Sequence, residues 1–384
     1  MKKFFSKMDL WLLTMIFIYI ILGCTMIYSA SSILTVLSQR LPSTYYFVRQ
    51  ILFVIAGLIA SLFVLRIDIK RYTLLSYLGV FLVIGALIGL FFYGKEVNGA
   101  RGWYNLEIFS VQPSEFAKSV LIVAMACYYH ILVNRKESNF ILYLIPLLIL
   151  GIITGLVILQ PDLGGAVIIF LLGILIFLCV PINKHIKIKC YKVLVVIGLL
   201  GCLILFLFHD KILSEYQMNR LNFKEPCSRY QEVTGYQVCN GFIAIKNGGL
   251  FGLGFGNSTQ KYLYLPEAHT DFIFPIICEE LGFVVGVIVI IGYGFILYRI
   301  LRIAKCANNT RNSIIAYGTF IYLSLHIVIN LLGVLALMPL TGVPLPLLSY
   351  GGSFNFNVIV MLFLCEKVAI ETKEAKIKDK ISKI

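Results

Sequence analysis

Apolar runs of about 20 residues, separated by short polar connectors, recur along almost the whole chain. That spacing predicts membrane-crossing helices and excludes a β-barrel, whose short alternating segments look different. About ten spans are expected, at roughly 10–30, 45–65, 72–93, 114–132, 140–158, 164–180, 191–208, 271–298, 312–337 and 350–369. The fold class is thus an all-α polytopic membrane protein, with a single transmembrane domain over 1–370 and a basic tail over 371–384. MKKFFSK and the run from Leu10 to Ile27 have the outline of a signal peptide. The run exceeds the usual ~7–15 residue core and has no evident small-residue cleavage site, so it reads as an uncleaved first helix. No inverted internal repeat of the transporter kind is visible.

One connector is long. The 62 residues of 209–270, between the seventh and eighth spans, are first polar and then glycine-rich. Connections of that length are usually functional or disordered, and the Tyr, Phe and Leu content points to an ordered piece on the membrane surface. Two shorter segments, Gly94–Pro113 and Met338–Ser353, are too rich in Gly and Pro for continuous helix. Non-helical backbone near membrane depth survives only against protein or a wet cavity. With Gln160–Gly164, these segments imply an outward-facing polar cavity.

Composition agrees with the pattern, since 59% of the 384 residues are hydrophobic and 14% charged. Charge placement adds orientation. With the N-terminus inside, 22 of the 33 bases and seven of the 19 acids fall on inner segments, so the inner face carries +15 and the outer −1 of the net +14. The basic character is therefore a topology signal, with the tail facing anionic lipid, and no nucleic-acid footprint. Both termini are expected to be cytoplasmic. The ten cysteines lie mostly inside spans and behave as small apolar residues. Cys227 and Cys239, in the outer loop, can pair or remain free thiols, and the sequence slightly favours the latter. The glycines at 248, 249, 252, 254 and 256 lack the preceding strand and the GKS/T of a phosphate loop.

Asp271, entering the eighth span, reads equally as a helix N-cap and as a reactive carboxylate at a membrane lip. Glu279 and Glu280 lie roughly 12–13 Å deeper at ~1.5 Å per residue, too far for a carboxylate dyad, and read as polar ties to a neighbouring helix. Glu115 and Lys118, spaced i, i+3, can pair facing the cavity. Asp162 reads first as the cap of the next span. Arg101 and Arg49 are outer-side arginines of the type suited to bidentate phosphate contact. His269 is a possible neighbour of the site, whereas Trp103, Tyr262 and Tyr264 read as interfacial belt residues. An outer site has no nucleotide pool. A bond-forming substrate must arrive activated, as a lipid-linked diphosphate sugar would, and needs one base and cations for the departing diphosphate.

GARGW, QPSEFAK, QPDLG, GYQ with IAIKNGGLFGLG, YLPEAHTDFIF with EELGF, and PLTGVPLPLLSYGGS occur in this order. Together they resemble the SEDS peptidoglycan glycosyltransferases, the RodA/FtsW/SpoVE proteins, and the wording around Asp271 is closer to the FtsW/SpoVE branch. The resemblance implies a ten-helix SEDS fold that polymerises lipid II into β-1,4-linked glycan on the outer face of the cytoplasmic membrane. It further implies the nascent glycan strand as a binding partner beside lipid II, and a class B penicillin-binding protein as the protein partner. Asp271 then matches the family's essential aspartate, the presumed base, Glu115 and Lys118 its PSE-x-x-K motif, Asp162 the QPDLG acid, and Arg101 the G-x-R-x-W arginine. SYGGSFNFN departs from the usual SYGGSS, KNGG from a GSGG-like turn, and CNGFIAI from a QSL-AI-like stretch. A Mg²⁺ or Mn²⁺ could be held by Asp271, Glu115 and the diphosphate, although no spacing demands it. The rival readings are a flippase for the same lipid and a scaffold of the wall-synthesis complex.

Overall fold

The computed structural model describes residues 7–67, 71–97, 99–106, 109–196, 198 and 222–382. In chain order these form α1 (Leu10–Leu37), α2 (Tyr45–Arg66), α3 (Tyr72–Tyr93), strands β1 (Lys95–Val97), β2 (Ala100–Asn105) and β3 (Ser110–Val111), α4 (Pro113–Asn134), α5 (Phe140–Ile158), α6 (Leu163–Cys179) and α7 (184–196). After a 3-10 turn (Pro226–Arg229) come α8 (Val233–Gly248), α9 (Ile273–Leu281), α10 (Phe283–Cys306), α11 (Thr310–Val334) and α12 (Gly352–Ile381). Among the described residues eight helices are long and apolar enough to cross a membrane, with the 17-residue α6 slightly shorter. This is an integral membrane protein of the expected helical class. The latter part of the span expected over 191–208, and the start of the long connector, lie outside the described residues.

Burial sorts the helices into two shells. The apolar window of α12 is 83% buried, that of α11 67% and of α4 61%, against 28% for α2, α3 and α10. Of the inner three, α4 carries Glu115 and Lys118 and α11 carries His326 and Asn330, while the outer helices show Leu, Ile and Phe where lipid would lie. Local signals explain the boundaries. Asp9, Asn139, Asp162 and Asn309 accept from the first turns of α1, α5, α6 and α11, and Pro113 occupies the first turn of α4. α12 continues through Ile381, so the basic stretch after 370 is largely helical. Its Lys373 Nζ donates to the Met8 carbonyl at 2.8 Å.

The span expected over 271–298 is two helices. Gly282 divides α9 from α10 with φ +92, in the left-handed region that only glycine enters freely. The glycine-rich run fits against that break: a Cβ on Gly252, itself at φ +82, would stand 2.3 Å from the Glu280 carbonyl. Leu253 and Gly254 donate their amides to the carbonyls of Glu279 and Glu280 at 2.9 Å each. Those glycines serve close packing against α9, which agrees with their not forming a phosphate loop.

Segment 94–111 contains a small antiparallel sheet in the order β1-β2-β3, which its Gly content hid. Tyr104 Oη anchors it by donating to the Ala86 carbonyl of α3 at 2.7 Å. In the long connector Cys227 and Cys239 are bonded to each other, contrary to the sequence preference for free thiols. The folded turn brings the start of the 3-10 helix onto α8, a proximity that spacing could not disclose. Closing a loop of this size stabilises by up to about 3 kcal/mol. Dithiothreitol is therefore expected to lower the melting temperature of the wild-type protein, and to leave that of a Cys227→Ser/Cys239→Ser variant unmoved.

Candidate active site

Asp271 does not cap its helix. Phe272 occupies the cap position and α9 starts at Ile273, so Asp271 belongs to the preceding turn and is only partly buried. Its main-chain carbonyl accepts from Asn330 Nδ2 at 2.8 Å, and the same amide donates to the Val343 carbonyl at 2.7 Å. Asn330, on α11 and buried, thus clamps the Asp271 backbone to the segment before α12. Sequence reading missed it. The available signal was an amide in the apolar run of a span, which is costly unless satisfied.

The loop before Asp271 is held from beneath. Glu279 and Glu280 are both fully buried. Glu279 accepts from the Thr259 hydroxyl at 2.8 Å and from Ser258 Oγ, while Glu280 accepts from Ser29 of α1 at 2.6 Å and pairs with Lys261 at 2.9 Å. The expected tie to a neighbouring helix is present for Glu280. Most of the network instead fastens residues 253–261 to α9.

Glu115 and Lys118 pair at 2.7 Å, 5% and 1% exposed, so in this conformation they are enclosed. Lys118 Nζ also lies 3.3 Å from His326 Nε2, whose ring stacks on Phe354 with centroids 4.6 Å apart. Phe354 belongs to SYGGSFNFN, so that departure supplies the ring stacked on the histidine that faces Lys118. The next residue also has a structural task, as Asn355 accepts from the Leu347 amide and donates to the Ser349 carbonyl. One Glu115 oxygen, Oε2, is buried with no hydrogen-bond partner.

Asp162 does cap α6: Oδ1 accepts from the Gly165 amide at 2.8 Å, while Oδ2 accepts from Gln112 Nε2 at 3.3 Å. The cap thereby joins QPDLG to QPSEF. Arg101 points elsewhere. It is well exposed, 3.5 Å from Glu96, and its amide donates to the Gln160 carbonyl at 3.2 Å.

His269 is 6% exposed, between the rings of Tyr46 (4.5 Å) and Tyr350 (5.6 Å), and its carbonyl accepts from the Tyr350 amide at 2.8 Å. Burial pushes the Tyr350 phenol up to about 12, against a lowering by Arg49, so it stays a hydrogen-bond donor. Arg49 also packs 4.4 Å over the Tyr45 ring. Burial lowers the His269 imidazole below its ordinary value, against a raising by Glu267. A lowered folded value means that the unfolded chain binds the extra proton first as pH falls below about 6.5. The stability that neutral His269 contributes is whole above that pH and declines below it. Between about pH 7.5 and 5.5 the wild-type melting temperature should therefore fall further than that of His269→Gln, read by thermal unfolding in detergent.

These groups share one hub, the segment 338–353. Tyr350 meets His269, Val343 shares Asn330 with Asp271, Pro344 faces His326 at 3.4 Å, and Ser353 accepts from the Gln112 amide at 3.2 Å. Among the described residues no three His, Cys, Asp or Glu side chains gather into a cage, and Glu115 is engaged by Lys118.

The model of the FtsW/RodA/SpoVE cell cycle proteins matches residues 9–374. This chain belongs to that family. Within it, the chain is 34% identical over 390 residues to the probable peptidoglycan glycosyltransferase FtsW of Bacillus subtilis, covering 99% of this chain and 95% of that protein. It is 33% identical to stage V sporulation protein E of the same organism, covering 90% and 92%. These relatives place it on the FtsW/SpoVE branch. Among solved structures of the family, a chain of a peptidoglycan synthase complex that coordinates polymerization and crosslinking superposes with a TM-score of 0.72 at 25% identity, covering 95% of this chain and 98% of that one. The rod shape determining protein RodA of Thermus thermophilus gives 0.65 at 25% identity, covering 94% and 96%. The SEDS fold expected from the motifs is thus the fold observed.

Proposed function

We propose that this protein is a peptidoglycan glycosyltransferase of the cytoplasmic membrane, with both termini in the cytoplasm and lipid II as the substrate it polymerises. The observation that carries the reading is family membership over nearly the whole chain, joined to a partly buried carboxylate, Asp271, on a loop anchored from three sides. Asp271 takes the proton from the acceptor 4-hydroxyl as that oxygen attacks the anomeric carbon of the lipid-linked sugar. The bond from that carbon to the diphosphate breaks on the opposite face, undecaprenyl diphosphate leaves, and the α-linked donor becomes a β-1,4 bond. Cations offset the charge on the departing diphosphate. Arg49 is linked to the Asp271 loop through Tyr350 and His269. Arg101 is exposed enough to move to a ligand, while Lys118 must first leave Glu115. Asp162 positions Gln112 and the mouth of α4.

The partner in this reading is a class B penicillin-binding protein, in keeping with the synthase complex that the fold matches. Purified protein, alone and with that partner, is expected to convert lipid II into polymer resolved by gel electrophoresis. Movement of lipid II between leaflets without polymer would support the flippase reading instead.

A further inference from the structure

A cavity of about 510 Å³, lined by Ser138, Asn183, Lys184, His185, Ile186 and Lys189, opens where α5 begins and α6 ends. It lies among the connectors 135–139 and 180–184, at the end of the bundle opposite the Asp271 loop, and these connectors carry several of the bases that orient the chain with this end inside. Its cations are not committed to acids. Among the described residues no carboxylate pairs with Lys184 or Lys189, and Lys189 Nζ stands 5.7 Å over the Phe140 ring. The neighbouring charges are accounted for: Lys187 donates to the Leu178 carbonyl at 2.8 Å and closes the end of α6. Glu137 turns its carboxylate onto the amides of Ser138 and Asn139 at 3.0 and 3.1 Å.

We infer that this cavity binds the phosphate headgroup of an anionic phospholipid from the cytoplasmic leaflet. The volume exceeds that of a phosphate with several waters, each with a liquid share of ~30 Å³. Ser138, Asn183 and the His185 ring add hydrogen-bonding groups beside the two ammonium groups. Around it the exposed Ile141, Leu178 and Ile188 provide an apolar margin for acyl chains. A water-soluble phosphate would gain from the ammonium groups and nothing from that margin. A neutral zwitterionic headgroup would gain from the margin and far less from the charges.

Purified full-length protein in detergent, titrated with phosphatidylglycerol or phosphatidylcholine and read by native mass spectrometry, tests the inference. Phosphatidylglycerol should be retained in preference. Lys184→Gln/Lys189→Gln should weaken its retention by more than about tenfold at low salt, since each lysine near an anionic surface is worth about fivefold. Lys184→Arg/Lys189→Arg should keep it, which separates loss of charge from misfolding. An undiminished preference in the doubly neutralised protein overturns the assignment to this cavity. Displacement of the lipid by millimolar inorganic phosphate overturns the lipid in favour of a soluble anion.

Discussion

Asp271→Asn is expected to lower lipid II polymerisation by about 10²–10⁴-fold, the range that a general base typically supplies, with the fold left intact. The substitution keeps the shape of the side chain and removes its capacity to take a proton. Asn330, which also donates to the Val343 carbonyl, holds this position through the Asp271 main-chain carbonyl, so the clamp does not depend on the carboxylate. Polymer length and amount on a gel, together with an unchanged melting temperature, would establish a chemical defect. Polymer at the wild-type rate would remove Asp271 from the mechanism.

The largest expected effect on stability is at Lys261. Its ammonium group lies 3% exposed against a fully buried Glu280 and also donates to Ser29 Oγ at 3.1 Å and the Gly256 carbonyl at 2.5 Å. Lys261→Met leaves the glutamate buried without its counter-charge, a change that costs about 3–5 kcal/mol. Much of that cost should disappear in the Lys261→Met/Glu280→Gln double variant, because the amide carries no charge to compensate. Thermal unfolding of the four proteins in one detergent gives the coupling directly. Equal penalties for Lys261→Met in both backgrounds would mean that the pair does not act as a unit.

Apolar length alone disclosed the helices, because lipid requires every backbone group to be satisfied within a span. The same criterion hid the break at Gly282: α9 and α10 are both apolar, and one glycine in a long run gives little warning of a left-handed residue. Burial of charge was only partly legible. The i, i+3 spacing predicted the Glu115–Lys118 pair, and the structure contains it. Lys261 with Glu280 is separated by 19 positions and a series of turns, so no periodicity connects them. Asp271 resembled a cap because an acid before an apolar run normally is one; Asp162 is such a case, and the same test misplaced the cap at Asp271 by one residue. His326 and Asn330 went unnoticed inside a span. Their partners, Lys118 and the Asp271 carbonyl, come from other parts of the chain.

The hub at 338–353 sets how the site can respond to load. A segment that touches the Asp271 clamp, the His269 box, the histidine facing Lys118 and the entrance of α4 links these points to one another. Displacing His326 from Lys118 would pull on Pro344, next to the Val343 carbonyl that shares Asn330 with Asp271. In the mechanism proposed above, occupation of the cation by a diphosphate and alignment of the base would then be sensed as one mechanical event, and a wedge lodged beneath Tyr350 would silence both without touching either.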